Sequence, residues 1–457
     1  MLLIGIIKYL TISFPETKLA YFFCQGSNAL MNSSNSVLRG LIYRLLCDQP
    51  SLIAHLREKY DRHKSMFQDG SSFFALSEVA SHMLRDPEIG RIYIIIDALD
   101  ECETNRNQIL DFISQNLDVS PSVKWIVSTR KVPAIIDRLG QFNLNIQLHL
   151  DLADNTEDVS LAVNAYIIVK VASLPALREN NQQILHVQTV MHEKAANTFL
   201  WAALVFQELE TAEEWDIFDI IDSIPSGLED LYARMMDQIQ KLGRGNSELC
   251  HKILATATLA HRPLFMAEIG ALADLPDRIA NIMERVRRII NMCGSFLRIQ
   301  DDTVQFVHQS AKDYLNDTAG AIIFKSPQND AHFRLYMRSI QLMSVNLSRN
   351  IYRLPYPGIL IDDIQRPEPD PLGQLRYSCV YWVQHLCYGM QEITSIGVLR
   401  DGKELPTFFK QHLLHWLEAL SLMGAMGEGI SAIIRLQTAL KASSMQLIQS
   451  GNVHWSF

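Results

Sequence analysis

Positive charge is in short supply: 41 Lys and Arg stand against 50 Asp and Glu, for a formal net charge of -9. A broad nucleic-acid surface needs a basic face, so the balance argues against that class. Seven cysteines lie scattered at 24, 47, 102, 250, 293, 379 and 387, and no C-x-x-C occurs. That pattern suggests neither a disulfide framework nor a zinc site, and it suits reduced thiols in a cytoplasmic setting. No apolar run approaches the ~18 residues of a membrane span. The apolar start "MLLIGIIKYL" has no basic segment before it, so it reads as the first turns of a core helix. G-x-S-x-G is absent, as are a repeat of fixed period and a low-complexity tract.

What is present is an ordinary globular composition, 48% hydrophobic and 20% charged, in a chain of 457 residues. A chain of that length is expected to pack into two to four units. Strands are expected at 18–25, 91–97, 123–129 and 144–150, each a near-continuous apolar run. Such runs mark parallel strands covered on both faces. Helical patterns at 36–46, 74–84 and 107–117 separate them, the alternation of an α/β unit. Beyond Asp151 the pattern turns helical, with amphipathic segments at 197–210 and 227–242. The stretch 294–315 reads as two short strands around Asp301-Asp302 and then a helix, the order of a winged-helix unit. Pro and acidic residues cluster at 353–373, where a linker is expected. Helices at 377–387, 408–423 and 430–448 complete the chain.

Chemistry concentrates in "IYIIIDALDEC", where a buried strand runs into Asp97, Asp100 and Glu101. Ligands of open α/β sheets gather at the C-terminal ends of the strands. An acid such as Asp97 would there hold Mg²⁺, directly or through water, while Asp100 or Glu101 would orient an attacking water. Acids at the start of a helix give an equally good reading of this segment by itself. The next strand, "VKWIVSTR", tips the balance by delivering Ser128, Thr129 and Arg130 to the same edge. An arginine at that place can compensate charge on a γ-phosphate. Elsewhere His412 and His415 in "HLLH" lack a third ligand nearby and read as a helix face.

With "VKWIVSTR", "NTFLWAALV", "GLEDLYARMM", "FVHQSAKDYL", "YSCVYWVQHL" and "HLLHWLEALSLMG", the segment "YIIIDALDEC" resembles one family along nearly the whole chain. It is similar to the NACHT-type signal-transduction NTPases of filamentous fungi, whose N-terminal domain is like that of nephrocystin-3. Those proteins are related to vegetative-incompatibility proteins. The resemblance implies a partial P-loop NTPase sheet over 1–152, a helical domain over 153–245, a winged-helix domain over 246–325 and a C-terminal helical region over 326–457. It further implies a switch run by Mg²⁺ and ATP or GTP, with protein partners or self-association, while the acidic balance and the lack of a membrane-length apolar run speak against nucleic acid and membrane. Asp97 would be the Mg²⁺ acid, Asp100 and Glu101 the hydrolytic pair, and Arg130 the sensor arginine. His308 would be the winged-helix histidine that touches the bound diphosphate. On local sequence, a hydrogen-bonded core histidine is as good a reading of His308.

The phosphate cradle of such a site is G-x-x-x-x-G-K-[ST], and nothing between Met1 and Arg91 fits it. "GVLRDGKE" ends in Glu404 and follows no strand. In the resembling proteins, the residues after the cradle are similar to "MLLIGII", so the chain is expected to begin just past its loop and first strand. The strands at 123–129 and 144–150 would then carry unpaired edges. Nucleotide binding is expected to be impaired and hydrolysis absent, and a catalytically silent scaffold is the competing reading.

Overall fold

The computed structural model describes residues 2–26, 28, 30–62, 72–117, 121–130, 132–140, 156–177, 181–356, 358–360, 363–390 and 404–449. The strand expected at 144–150 lies outside them.

The chain opens with helix α1 (Leu2–Ser13), strand β1 (Lys18–Phe23), and helices α2 (Ser34–Asp48), α3 (Ile53–Arg62) and α4 (Ser72–Arg85). Strand β2 (Ile92–Asp97), α5 (Arg106–Asn116), β3 (Val123–Val127) and α6 (Pro133–Gly140) follow. The strands form a parallel sheet in the order β1-β2-β3, with Phe23 opposite Asp97 and Ile96 opposite Val127. This is an α/β arrangement of the partial P-loop NTPase kind. β2 is central, and its alternate side chains serve two layers. Ile92, Ile94 and Ile96 join Val37, Leu38, Val79, Met83 and Ile109 on one face. Ile95 meets Leu3 and Leu10 of α1 on the other. α1 is thus a one-sided cover rather than a core helix: Ile4, Tyr9 and Ile12 are exposed.

Five helices come next: α7 (Thr156–Ala172), α8 (Asn181–Ala195), α9 (Phe199–Glu210), α10 (Ile217–Ser223) and α11 (Leu228–Gln240). Trp201 is fully buried among them, and its indole N–H donates to the Pro225 carbonyl at 3.0 Å. Then follow α12 (Asn246–Leu259), β4 (Leu264–Phe265), α13 (Met266–Leu272), α14 (Asp277–Ala280) and α15 (Met283–Met292). Strands β5 (Leu297–Gln300) and β6 (Thr303–Phe306) lead into α16 (Gln309–Asp317) and α17 (Gly320–Phe324). β4, β6 and β5 make a small antiparallel sheet, turned at Asp301 and Asp302, whose φ angles are 50° and 58°. Both lie in the left-handed region that a two-residue hairpin requires, and Asp tolerates it.

The last helices are α18 (Gln328–Asn346), α19 (Arg376–Gly389), α20 (Glu404–Leu422) and α21 (Met426–Gln449). Trp382 and Trp416 are fully buried between them, and one apolar core runs unbroken from Val163 to Leu436. The stretch read as a linker is tied down at its end. Asp370 accepts from Tyr352 Oη at 2.9 Å, from the Leu372 amide at 2.9 Å and from Arg376 Nη2 at 2.6 Å. No described helix is long and apolar enough to cross a membrane.

Candidate functional site at the end of the parallel sheet

The end of β2 turns sharply because Ala98 adopts a left-handed conformation, φ 53° and ψ 51°. That costs an L-residue about 1–2 kcal/mol, and neighbouring bonds hold it. The Ala98 amide donates to Ser128 Oγ at 2.8 Å, and the Leu99 amide donates to the Ser128 carbonyl at 2.9 Å. The turn splits the acids. Asp97 stays at the strand end, half-buried, and accepts from the Ser128 hydroxyl. Asp100 is carried inward and buried.

Asp100 meets Arg130. One carboxylate oxygen accepts from the Arg130 amide at 2.9 Å and the other from its Nε at 2.5 Å. The Arg130 Nη1 reaches on to Asp313 of α16 at 3.0 Å. Two carboxylates therefore share one guanidinium, and they raise its pKa above the ordinary arginine value, the Asp100 bond foremost. Glu101 points the other way and accepts from the Gly26 amide at 2.9 Å. Burial raises the Glu101 pKa and nearby Asp100 adds to this, against the lowering effect of the Gly26 bond. Burial also drives the Cys24 thiol, at the end of β1, far above its usual range, so it is inert as a nucleophile.

α16 closes over this tip. His308 caps the helix, its Nδ1 accepting from the Ser310 amide at 3.1 Å and lying 2.8 Å from Ser310 Oγ. Ser310 Oγ also meets Tyr232 Oη of α11 at 3.0 Å. Burial lowers the His308 pKa, and Arg130 lowers it further. Gln309 Nε2 holds Asp313 at 3.0 Å, while its buried Oε1 has no hydrogen-bond partner and stands near Gly26.

The structure thus gathers Asp97, Asp100, Glu101 and Arg130 at one sheet end, with His308 on the helix above. His308 is a helix cap, and its described bonds run to Ser310 rather than to the acids. Sequence reasoning missed Asp313 and Gly26 as partners. Asp313 is 183 positions from Arg130, and its only local signal is Gln309 one helical turn before it.

The fit of a Mg²⁺-nucleotide is uneven. Asp97, oriented by Ser128, suits one ligand of a hydrated Mg²⁺, which proteins commonly hold through one or two carboxylates. Among the described residues, no group of three or more His, Cys, Asp or Glu is placed to hold a metal alone. On the phosphate side two candidate donors are already engaged: the Gly26 amide at the β1 end by Glu101, and Arg130 by two acids.

A parallel sheet with acids at the tip of its central strand, followed by helices, agrees with the comparison to known proteins. Residues 1–130 match the family described as Nephrocystin 3, N-terminal. The chain belongs to the NACHT-type family of fungal signalling proteins related to vegetative-incompatibility proteins. Its similarity to a particular member is extensive: it is 40% identical over 458 residues to vegetative incompatibility protein HET-E-1 of Podospora anserina. The match covers 96% of this chain and 34% of that protein, so the chain spans about a third of the length of the curated relative.

Proposed function

We propose that the chain is part of a nucleotide-operated signalling switch in which the carboxylate and arginine side of the site is kept and the phosphate side is impaired. In this reading residues 1–152 are the NTPase unit, 153–245 a helical unit, 246–325 a winged helix and 326–457 a C-terminal helical region. Asp97 is the Mg²⁺ acid. Asp100 and Glu101 descend from a hydrolytic pair, Arg130 from a sensor arginine and His308 from a histidine facing the diphosphate. The nucleotide is ATP or GTP, bound weakly and not hydrolysed. The winged helix acts as a lid within the chain, and signalling runs through protein partners or self-association.

The observation that carries this reading is the position of Arg130 between Asp100 and Asp313. Asp100 holds the backbone amide and Nε, whereas Asp313 holds Nη1 alone. An anion arriving at the tip therefore competes first with Asp313, the half-buried partner that holds the arginine by one bond. Losing that bond loosens α16, which couples the sheet end to the helix above it. The same arrangement favours a second reading, a silent scaffold, because the arginine is already neutralised.

Fluorescent ATP and GTP analogues titrated into the 457-residue chain, with and without Mg²⁺, test this. We expect no saturation for the parent up to about 1 mM, binding worth no more than about 4 kcal/mol. Asp313→Asn frees Arg130 and is expected to tighten binding measurably, in a Mg²⁺-dependent way that Asp97→Ala removes. Micromolar binding by the parent would overturn the impairment. Equal binding by parent and Asp97→Ala would remove the Mg²⁺ role of Asp97. If Asp313→Asn binds no better than its parent, the scaffold reading stands.

A further inference from the structure

Far from the sheet, three histidines meet in the interior. His261 lies in the loop between α12 and β4, His332 on α18 and His385 on α19. The His385 ring is 4.9 Å from that of His261 and 5.1 Å from that of His332, centroid to centroid. His385 is fully buried and His332 is 9% exposed. Tyr388 stacks on His332 at 4.9 Å, and Tyr381 lies against His261 at 5.6 Å.

One arrangement of protons gives every hydrogen bond of the relay a donor and an acceptor. The His261 amide donates to Tyr377 Oη at 3.1 Å. Tyr377 therefore directs its own proton to His385 Nε2, 2.7 Å away. With Nε2 accepting, a neutral His385 carries its proton on Nδ1 and donates it to His332 Nδ1 at 2.9 Å. His332 then holds its proton on Nε2. Every bond in this relay has one donor and one acceptor, and all the rings are neutral. A proton added to His332 Nδ1 sets two N–H groups against each other and breaks the relay.

An added charge also finds no counter-ion. The charged groups around the cluster are Arg262 beside His261, Lys312 of α16 and Arg435 of α21. The one buried carboxylate close by, Glu268, is fully used. It accepts from both terminal nitrogens of Arg262, from the Phe265 amide and from the Tyr377 amide. Glu428 of α21 is exposed and acts on Tyr381, while Glu103 and Asp313 act on Lys312. Among the described residues, no carboxylate is left for an imidazolium here.

We propose that this cluster is an acid-released latch, which joins α18 and α19 to the α12–β4 loop only while its three histidines are neutral. Burial holds the His332 pKa down to about 4 and the His261 pKa down to about 3, against an ordinary 6.5, and it holds His385 well below that ordinary value too. These are bases whose folded values are depressed. Their protonated forms favour the open junction, so closure is complete above about pH 6.5 and is lost as pH falls from there toward 4. Each histidine weakens closure by up to about tenfold per pH unit within that window.

Hydrogen–deuterium exchange of the full chain at pH 7.5 and 5.5, corrected for intrinsic exchange rates, reads the latch directly. Peptides spanning 258–265 and 376–389 are expected to lose protection by at least about tenfold at pH 5.5, while the peptide over 92–97 keeps its own. Replacing the central pair together, His332→Gln with His385→Gln, is expected to abolish most of that acid loss. Tyr377→Phe cuts the relay but keeps the titrating rings, so it is expected to lower protection at both pH values and retain the acid response. Three results would overturn the proposal. One is an unchanged parent, another an equal loss at 92–97, and the last a double variant with the parent's full acid response.

Discussion

At the scale of single residues, the tip of β2 is governed by one backbone angle. With Ala98 in the left-handed region, the acids on either side part company, Asp97 toward Ser128 and Asp100 toward Arg130. Glu101 is the uncomfortable member, because burial raises its pKa above the ordinary 4.5. A carboxylate with a raised folded value supports the fold fully below its unfolded value, and that support is lost as pH climbs through the folded one. Glu101→Gln keeps an acceptor for the Gly26 amide and removes the charge. The variant is expected to be more stable than its parent to urea at pH 7, with the gap closing below about pH 4.5. A variant less stable at pH 7 would show that the charge itself is needed. Asp97, Ser128 and Arg130 were legible in the sequence because each ends an apolar strand. The angle at Ala98 and the bond to Asp313 were not, since a side chain's partner across 183 positions leaves no local pattern.

At the scale of elements, continuous apolar runs located β1, β2 and β3 to within two residues, and the run is purest in β2, the strand most fully buried on both faces. The same logic misjudged α1, whose apolar residues are not all used. Packing at close range was also hidden. A methyl group on Gly40 of α2 would stand 2.3 Å from the ring of Phe22 on β1, so only glycine lets this helix lie on the strand. Gly40→Ala is expected to cost about 1–3 kcal/mol even though alanine is the better helix former. Gly5 of α1 has nothing within 4 Å of the equivalent position, and Gly5→Ala is expected to gain up to about 1 kcal/mol. Urea midpoints of the two variants, read side by side, separate contact from propensity. Shifts in the same direction would refute the contact.

At the scale of the whole molecule, two main apolar cores are separate. One runs from Ala20 to Ile135 and the other from Val163 to Leu436. Leu38 is fully buried in the first, so Leu38→Ala is expected to weaken that core by about 2–5 kcal/mol. Hydrogen exchange should show the loss in β2 and leave α19 protected; an equal loss in α19 would mean that the two cores open as one unit. Between them stands α16, only nine residues long. Asp313 grips the sheet end, Ser310 touches α11 through Tyr232, and Lys312 reaches the Ala260 carbonyl beside His261 at 3.4 Å. A helix pinned at several points around its circumference cannot roll to shed one contact and keep the others. It behaves as a keystone, and what dislodges it at the sheet also strains its bonds to Tyr232 and to the Ala260 carbonyl.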